Sequence, residues 1–288
     1  MIQRLTLIGA GLIGGSFALA LRAAFPGLQV TLFDHNAEHA AQAVAQGLGQ
    51  RAATSLADAV LHADLVMLAV PVGALPALFA DLAPLLDAHT VLTDVGSTKA
   101  DVLAAAAAAL GAALPRFVPG HPISGAERSG PGAAQAGLYR GRRVVLCPSD
   151  VTDPSAIALV QSLWERTGAE VHVLTAAQHD AVFAAVSHLP HLLSFALVDA
   201  LAARDNGALL FSYAAGGFRD FTRIAASHPA MWRDIALANR DALLAELDAY
   251  QAALARLRAQ VAEGNAVELE ATFQRARAAR VRWGQEHS

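Results

Sequence analysis

The stretch that decides the fold is Leu5-Thr-Leu-Ile-Gly9-Ala-Gly11-Leu-Ile-Gly14-Gly15-Ser-Phe-Ala-Leu-Ala-Leu21. A β-prone apolar run enters a glycine turn, and the residues after Gly14 keep helical apolar spacing. Each glycine has a steric task in a strand–turn–helix unit that binds a dinucleotide. Gly9 permits the tight turn, Gly11 lets a pyrophosphate approach the backbone, and Gly14 lets helix and strand pack closely. The helix start at Leu12 and Ile13 then offers unpaired N–H groups and the positive end of a dipole to the phosphates. Asp34 closes the next β-like run, Gln29-Val-Thr-Leu-Phe-Asp34, about 20 residues past Gly14 as the fingerprint requires. A carboxylate there accepts hydrogen bonds from a ribose diol and repels a 2′-phosphate, so NAD is expected rather than NADP.

Outward from this motif, the composition sets limits. The chain has 288 residues, 55% hydrophobic and 16% charged, enough for two domains with much of the surface buried or at an interface. A net charge of −4 gives no electrostatic case for nucleic acid or an anionic membrane. The first residues read as a strand rather than a cleavable leader. The apolar stretches are alanine-rich and interrupted, so no membrane span is expected. Cys147 is the single cysteine and sits in a strand-like run, as a packed, inert thiol would. A reducing cytoplasm is the compartment this composition suits.

Strand-like and helical segments alternate up to about residue 174. The spacing predicts strands at residues 63–70, 90–94, 116–119, 142–148 and 170–174, with helices at 97–110 and 155–167. That alternation implies a mostly parallel, doubly wound sheet of Rossmann type. From Thr175 the pattern is helical only. Thr175 and Gln178 have capping-box spacing, and a long apolar-periodic run follows to about residue 203, with Pro190 expected to kink it. Further helices are predicted at 232–263 and 267–283. The expected organisation is therefore α/β plus all-α: residues 1–174 bind the dinucleotide, and residues 175–288 form a helical substrate and dimerisation domain. With no sheet to lie against, the helices are expected to pair across a two-fold axis in a homodimer.

Four further stretches carry chemistry. Asp94-Val-Gly-Ser-Thr-Lys99 follows a strand; Ser97 could cap the next helix or present a hydroxyl at the sheet edge where open α/β sheets bind ligands. Past another strand, His121 lies between Gly120 and Pro122, and an imidazole held there suits a base that takes a proton from an alcohol while hydride leaves for the cofactor. Ser187-His-Leu-Pro-His191 places two histidines on one helix face. No acid or cysteine completes a metal set, so cleft lining is expected and no metal. Arg223, in Phe221-Thr-Arg-Ile-Ala225, could hold a substrate carboxylate in its fork or form an interhelical ion pair.

Taken together, GAGLIGGS at 9–16, DVGSTK at 94–99, HPISGAE at 121–127, SHLPH at 187–191 and FTRIA at 221–225 resemble the prephenate dehydrogenase family, which includes arogenate and cyclohexadienyl dehydrogenases of tyrosine biosynthesis. The resemblance implies NAD-dependent oxidative decarboxylation of a cyclohexadienol, prephenate or arogenate, to 4-hydroxyphenylpyruvate or tyrosine. It implies that His121 accepts the ring hydroxyl proton, that Ser97 orients hydroxyl and nicotinamide, and that Arg223 binds a substrate carboxylate. His191 and Trp232 match cleft positions. The family often has alanine where this chain has Ser124, a change beside the substrate. Rival readings are a β-hydroxyacid or imine-reducing dehydrogenase of similar plan, and an NAD-sensing protein without turnover.

Overall fold

The computed structural model describes residues 2–125 and 130–286. Ala126 and Glu127, which end the HPISGAE segment, lie outside the described residues. Residues Met1–Arg240 and Asp241–Ser288 form two compact units.

In the first unit, strands β1 (Arg4–Ile8), β2 (Gln29–Phe33), β3 (Arg51–Ala52), β4 (Leu65–Leu68), β5 (Val91–Asp94) and β6 (Phe117–Val118) make one sheet. Every pairing is parallel, in the order β3-β2-β1-β4-β5-β6. Parallel strands covered on both faces read as continuous apolar runs, as Leu65-Val-Met-Leu68 does. Alternate residues then serve opposite cores: Leu5, Leu7, Leu65 and Met67 join one apolar cluster with Phe17 and Trp164. Ile8, Val66 and Leu68 join the other with Phe79 and Phe117. Helices α1 (Leu12–Ala24), α2 (Ala37–Ala45), α3 (Leu56–Val60), α4 (Leu75–Leu82) and α5 (Ala100–Ala109) connect the strands. All the crossovers deliver their loops to the carboxyl ends of the strands, where the motifs at Gly9, Asp34, Asp94 and His121 collect.

The strands expected at 142–148 and 170–174 form a separate sheet. β7 (Gly120–Pro122) pairs antiparallel with β8 (Arg143–Leu146), which runs parallel to β9 (Glu170–Val173) across α6 (Pro154–Arg166). His121 therefore sits within a strand, opposite Val145, rather than on a free loop. Its backbone is pinned by the ladder to β8.

The helical run begins as expected. Thr175 and Gln178 form the capping box of α7 (Ala176–Phe183). Instead of a simple kink, a π-helical turn spans Ala184–His188, and α8 (Leu189–Ala202) restarts with Pro190 in its first turn, where a missing N–H costs nothing. By length and composition alone, residues 176–202 are long and apolar enough to cross a membrane, against the expectation that no stretch would be. The same run, however, buries His179, Asp180 and His188, all hydrogen-bonded to other side chains or to backbone. Helices α9 (Gly207–Ser212), α10 (Gly216–Thr222) and α11 (Pro229–Ala238) complete this unit.

The helix expected across 232–263 is broken at Asn239, whose φ of −104° and ψ of 37° lie outside the helical region. Its side chain is engaged elsewhere, as described below. α12 (Arg240–Ala262) then leads to the second unit, where α13 (Ala266–Glu286) follows a turn at Gly264 with φ of 64°.

Candidate active site

The glycine turn has the shape a pyrophosphate needs. A Cβ on Gly9, whose φ is +91°, would lie 2.3 Å from the Ala69 carbonyl oxygen, and one on Gly14 would lie 2.5 Å from Leu7 and 2.6 Å from the Ala69 side chain. Both glycines are sterically obligatory. A Cβ on Gly11 would meet nothing within 4 Å, so that side of the turn is open to a ligand. Gly11 is also the N-cap of α1 and makes no side-chain capping bond, which leaves the N–H groups at Leu12 and Ile13 for an anion. At the end of β2, Asp34 accepts hydrogen bonds from the Ala10 N–H (3.1 Å) and the Asn36 N–H (3.0 Å). The carboxylate is thereby fixed beside the turn, and these residues fit a dinucleotide.

In the smaller sheet, on β7, His121 heads a chain of hydrogen bonds. Its Nδ1 lies 2.8 Å from His179 Nε2, and His179 Nδ1 lies 2.8 Å from Asp180 Oδ1. The Asp180 carboxylate also accepts the backbone N–H groups of Lys99 (2.9 Å) and Ala100 (2.8 Å). It therefore caps α5 from 80 residues away. This corrects one sequence expectation: the helix starts at Ala100, with Lys99 rather than Ser97 as its N-cap residue. Ser97 is left on the loop after β5, partly buried, with its hydroxyl free of a capping duty.

Electrostatics set the protonation states. Burial works to raise the Asp180 carboxyl, but hydrogen bonds from His179 and the two amides outweigh it and hold it below the usual carboxylate range. An ionised Asp180 can only accept, so His179 Nδ1 carries a proton and its Nε2 is an acceptor. His121 must then donate from Nδ1, which leaves its Nε2 lone pair bare. Burial, followed by the nearby His179, Lys99 and His188, drives His121 well below the ordinary imidazole range. The ring is thus neutral and presents a base at Nε2. Phe183 closes its other side, with ring centroids 4.9 Å apart.

The remaining cleft residues gather around Trp232. His191 stacks on the indole at 3.5 Å between centroids, and its Nδ1 donates to the Ser187 carbonyl. Burial chiefly lowers the His191 pKa, with the Ser187 carbonyl opposing and the Arg223 guanidinium adding to the decrease. Arg223 is therefore close enough for its charge to be felt at the ring. It opens a 3₁₀ turn, Arg223–Ala226, packed on α8. The Trp232 Nε1 and Ser124 Oγ are buried without a partner among the described residues, and such groups find one in a bound molecule or water. His188 is buried against Trp232 and receives a hydrogen bond from Asn239 Nδ2, which also donates to the Asp180 carbonyl. Burial pushes His188 down to about 4. Cys147 packs behind this site with Phe183 and Val145, and burial pushes its thiol up to about 12.

Sequence reasoning missed His179, Asp180 and Asn239. A histidine–aspartate pair inside an otherwise apolar helical run was the available signal, since buried polar groups are retained only with partners. Asn239 carried no local signal, because it breaks a helix that its neighbours favour.

Known proteins resemble this chain over both of its halves. Residues 17–173 match the nucleotide-binding domain of prephenate dehydrogenase, and residues 175–275 match its dimerization domain. A cyclohexadienyl dehydrogenase of Zymomonas mobilis is 36% identical over 100% of this chain and 98% of its own length. A prephenate dehydrogenase of Bacillus subtilis is 36% identical over 96% of this chain and 75% of its own length. The crystal structure of prephenate dehydrogenase from A. aeolicus, in complex with hydroxyphenyl propionate and NAD+, superposes with a TM-score of 0.92 at 35% identity, covering 98% of each chain. Arogenate dehydrogenase of Synechocystis superposes at 0.82 with 29% identity, covering 97% of this chain and 99% of its own. With both halves matched and whole-length relatives over a third identical, this chain belongs to the prephenate dehydrogenase family.

Proposed function

We propose that this protein catalyses NAD-dependent oxidative decarboxylation of prephenate in tyrosine biosynthesis, with His121 as the base. The observation that carries the reading is the bonded series Asp180–His179–His121, which leaves one bare nitrogen, His121 Nε2. Asp34, Gly9, Gly11, Gly14 and the N–H groups at Leu12 and Ile13 hold the cofactor. Bound NAD+ supplies the hydride acceptor. His121 Nε2 takes the proton of the ring hydroxyl as hydride leaves the same carbon. The ring carboxylate departs as CO2, the electron pair of the broken C–C bond completes the aromatic ring, and His121 returns its proton to the phenolate oxygen. Behind His121, His179 and Asp180 stabilise the imidazolium as an aspartate does in a hydrolase triad. Ser97 orients the hydroxyl, and Arg223 clamps a substrate carboxylate beside His191, Trp232 and Ser124.

Incubation with NAD+ and prephenate should produce NADH and CO2 in equal amounts. NADH without CO2 would point to a β-hydroxyacid-type oxidation, and neither product would leave only a nucleotide-binding role. Prephenate and arogenate differ at a side-chain ketone or amine, so paired kcat/KM values decide the preferred substrate. We also propose residues 1–174 and 175–288 as the functional domains, a homodimer, and a reducing cytoplasmic setting. The dimer is supported by apolar side chains left exposed from α8 to α10, among them Leu197, Leu209, Phe211, Tyr213 and Phe221, a density unusual for a monomer's surface.

A further inference from the structure

The bonded series behind His121 closes on itself through a second, fully buried pair. Lys99 Nζ lies 2.5 Å from Asp94 Oδ2, and both side chains are 0% exposed. The same Asp94 carboxylate accepts the Gly96 N–H (2.7 Å) and the Gly120 N–H (3.1 Å). Gly120 is bonded covalently to His121, and the Lys99 N–H is bonded to Asp180. The circuit therefore runs Asp94, Gly120, His121, His179, Asp180, Lys99 and back to Asp94, joining the end of β5, the start of α5, strand β7 and helix α7. A Cβ on Gly96 would lie 2.8 Å from Asp94 Oδ2, and one on Gly120 would lie 3.0 Å from the Asp94 carbonyl oxygen. The loop after β5 and the start of β7 are thus shaped around this residue.

The reaction proposed above gives Lys99 and Asp94 no task, and neither reaches solvent. A buried ion pair is a poor source of net stability, because desolvation offsets most of its attraction. We infer that Asp94 and Lys99 are positioning residues for the His121 base: the Asp94 carboxylate locks the His121 strand to the Ser97 loop, and Lys99 ties that carboxylate to the Asp180 that holds His179. The groups whose charge is felt at His121 are His179 from α7, His188 from the π-helical turn and Lys99 from the start of α5, with Asp180 bonded to His179, Asp94 paired with Lys99, and Asp101 close to Asp180 and Lys99. The Lys99 charge is among the causes that lower both His121 and His179, after burial in each case, and Asp94 opposes it at His179.

This inference rests on His121 being the base, and the test separates the two ideas. Lys99→Met alone strands a buried carboxylate and should fold poorly. The double variant Asp94→Asn/Lys99→Met removes both charges at nearly constant volume and is the informative protein. Its kcat should fall about 10- to 100-fold through misplacement of the base, with the KM for NAD+ close to wild type. With the Lys99 charge gone, the acid limb of its kcat/KM profile should move up in pH. A folded double variant with wild-type kcat and an unmoved limb would overturn the inference, and so would a lowered melting temperature as its sole change. A wild-type acid limb that persists in His121→Asn would instead remove His121 as the base, and with it the reading on which the inference stands.

Discussion

The glycine turn and the His121 circuit face the same sheet edge, yet they are built in opposite ways. Every constraint in the turn is local or steric. Gly9 and Gly14 are required by Ala69 and Leu7, which the sheet brings alongside wherever strand, turn and helix follow in that order. The circuit is assembled from partners 26, 58 and 81 residues apart, and these contacts exist only because packing brings α7 against the start of α5 and against β7, and β7 against the end of β5. Cofactor binding should therefore tolerate damage to the circuit, whereas proton transfer should not. Changes that separate the two regions are the way to test this contrast.

The largest separation should come from His121→Asn. Loss of the base is expected to lower kcat by about 10²- to 10⁴-fold, while NAD+ affinity, measured by titration, stays near wild type. A parallel loss of NAD+ binding would show that the two regions are not independent.

Arg223→Ala sharpens the contrast within the cleft. A carboxylate clamp predicts a KM for prephenate raised about 30- to 1000-fold, from the roughly 2–4 kcal/mol lost with a desolvated charge pair. Folding and NAD+ affinity should be close to wild type, and Arg223→Lys should recover only part, because an ammonium cannot reproduce the planar fork. A normal KM with a lowered melting temperature would make Arg223 an interhelical ion pair instead.

Acid should strike the circuit before the turn. His121, His179 and His188 are all held below their ordinary values by burial, so the unfolded chain binds protons that the folded one refuses. Their contribution is complete above about pH 6.5 and is lost as pH falls toward the folded values. For His188, lowered from 6.5 to about 4, the loss is about 2 kcal/mol by pH 5 at roughly 1.4 kcal/mol per pH unit. Urea midpoints at pH 7.5 and pH 5 should differ accordingly. A midpoint that does not move over this range would mean that these rings are solvated in the native state.

The smallest effect concerns the turn itself. Asp34 should favour NAD+ over NADP+ in kcat/KM by at least about tenfold, since one charge-assisted contact is worth roughly 1.5–3 kcal/mol. Asp34→Ser should narrow that ratio and leave the acid limb set by His121 in place. Equal use of both cofactors by the wild type would remove Asp34 as the discriminating group.

The same contrast explains how much could be read in advance. Strands β1, β2, β4 and β5, helix α1 and the Thr175–Gln178 box follow from periodicity and short-range chemistry, because strand pleat and helix pitch are properties of neighbouring residues. His121, Ser97, Arg223, His191 and Trp232 could be named from their segments, though not arranged. Pattern reading erred where tertiary partners overrode it. The helix expected from Trp232 onward breaks at Asn239 because its amide bonds His188 and Asp180. Ser97 does not cap α5, because Asp180 already does.

The sequence by itself determined the dinucleotide turn, the acid that follows it and the change from α/β to all-helical structure near Thr175. Each of these rests on interactions within a few residues or on a repeat along one element. Tertiary structure alone decided that His121 has a bare Nε2, that a distant carboxylate serves both a helix end and a histidine, and that Lys99 is sealed against Asp94. A proton's place on an imidazole depends on which groups surround it, and here packing brings those groups from distant parts of the chain.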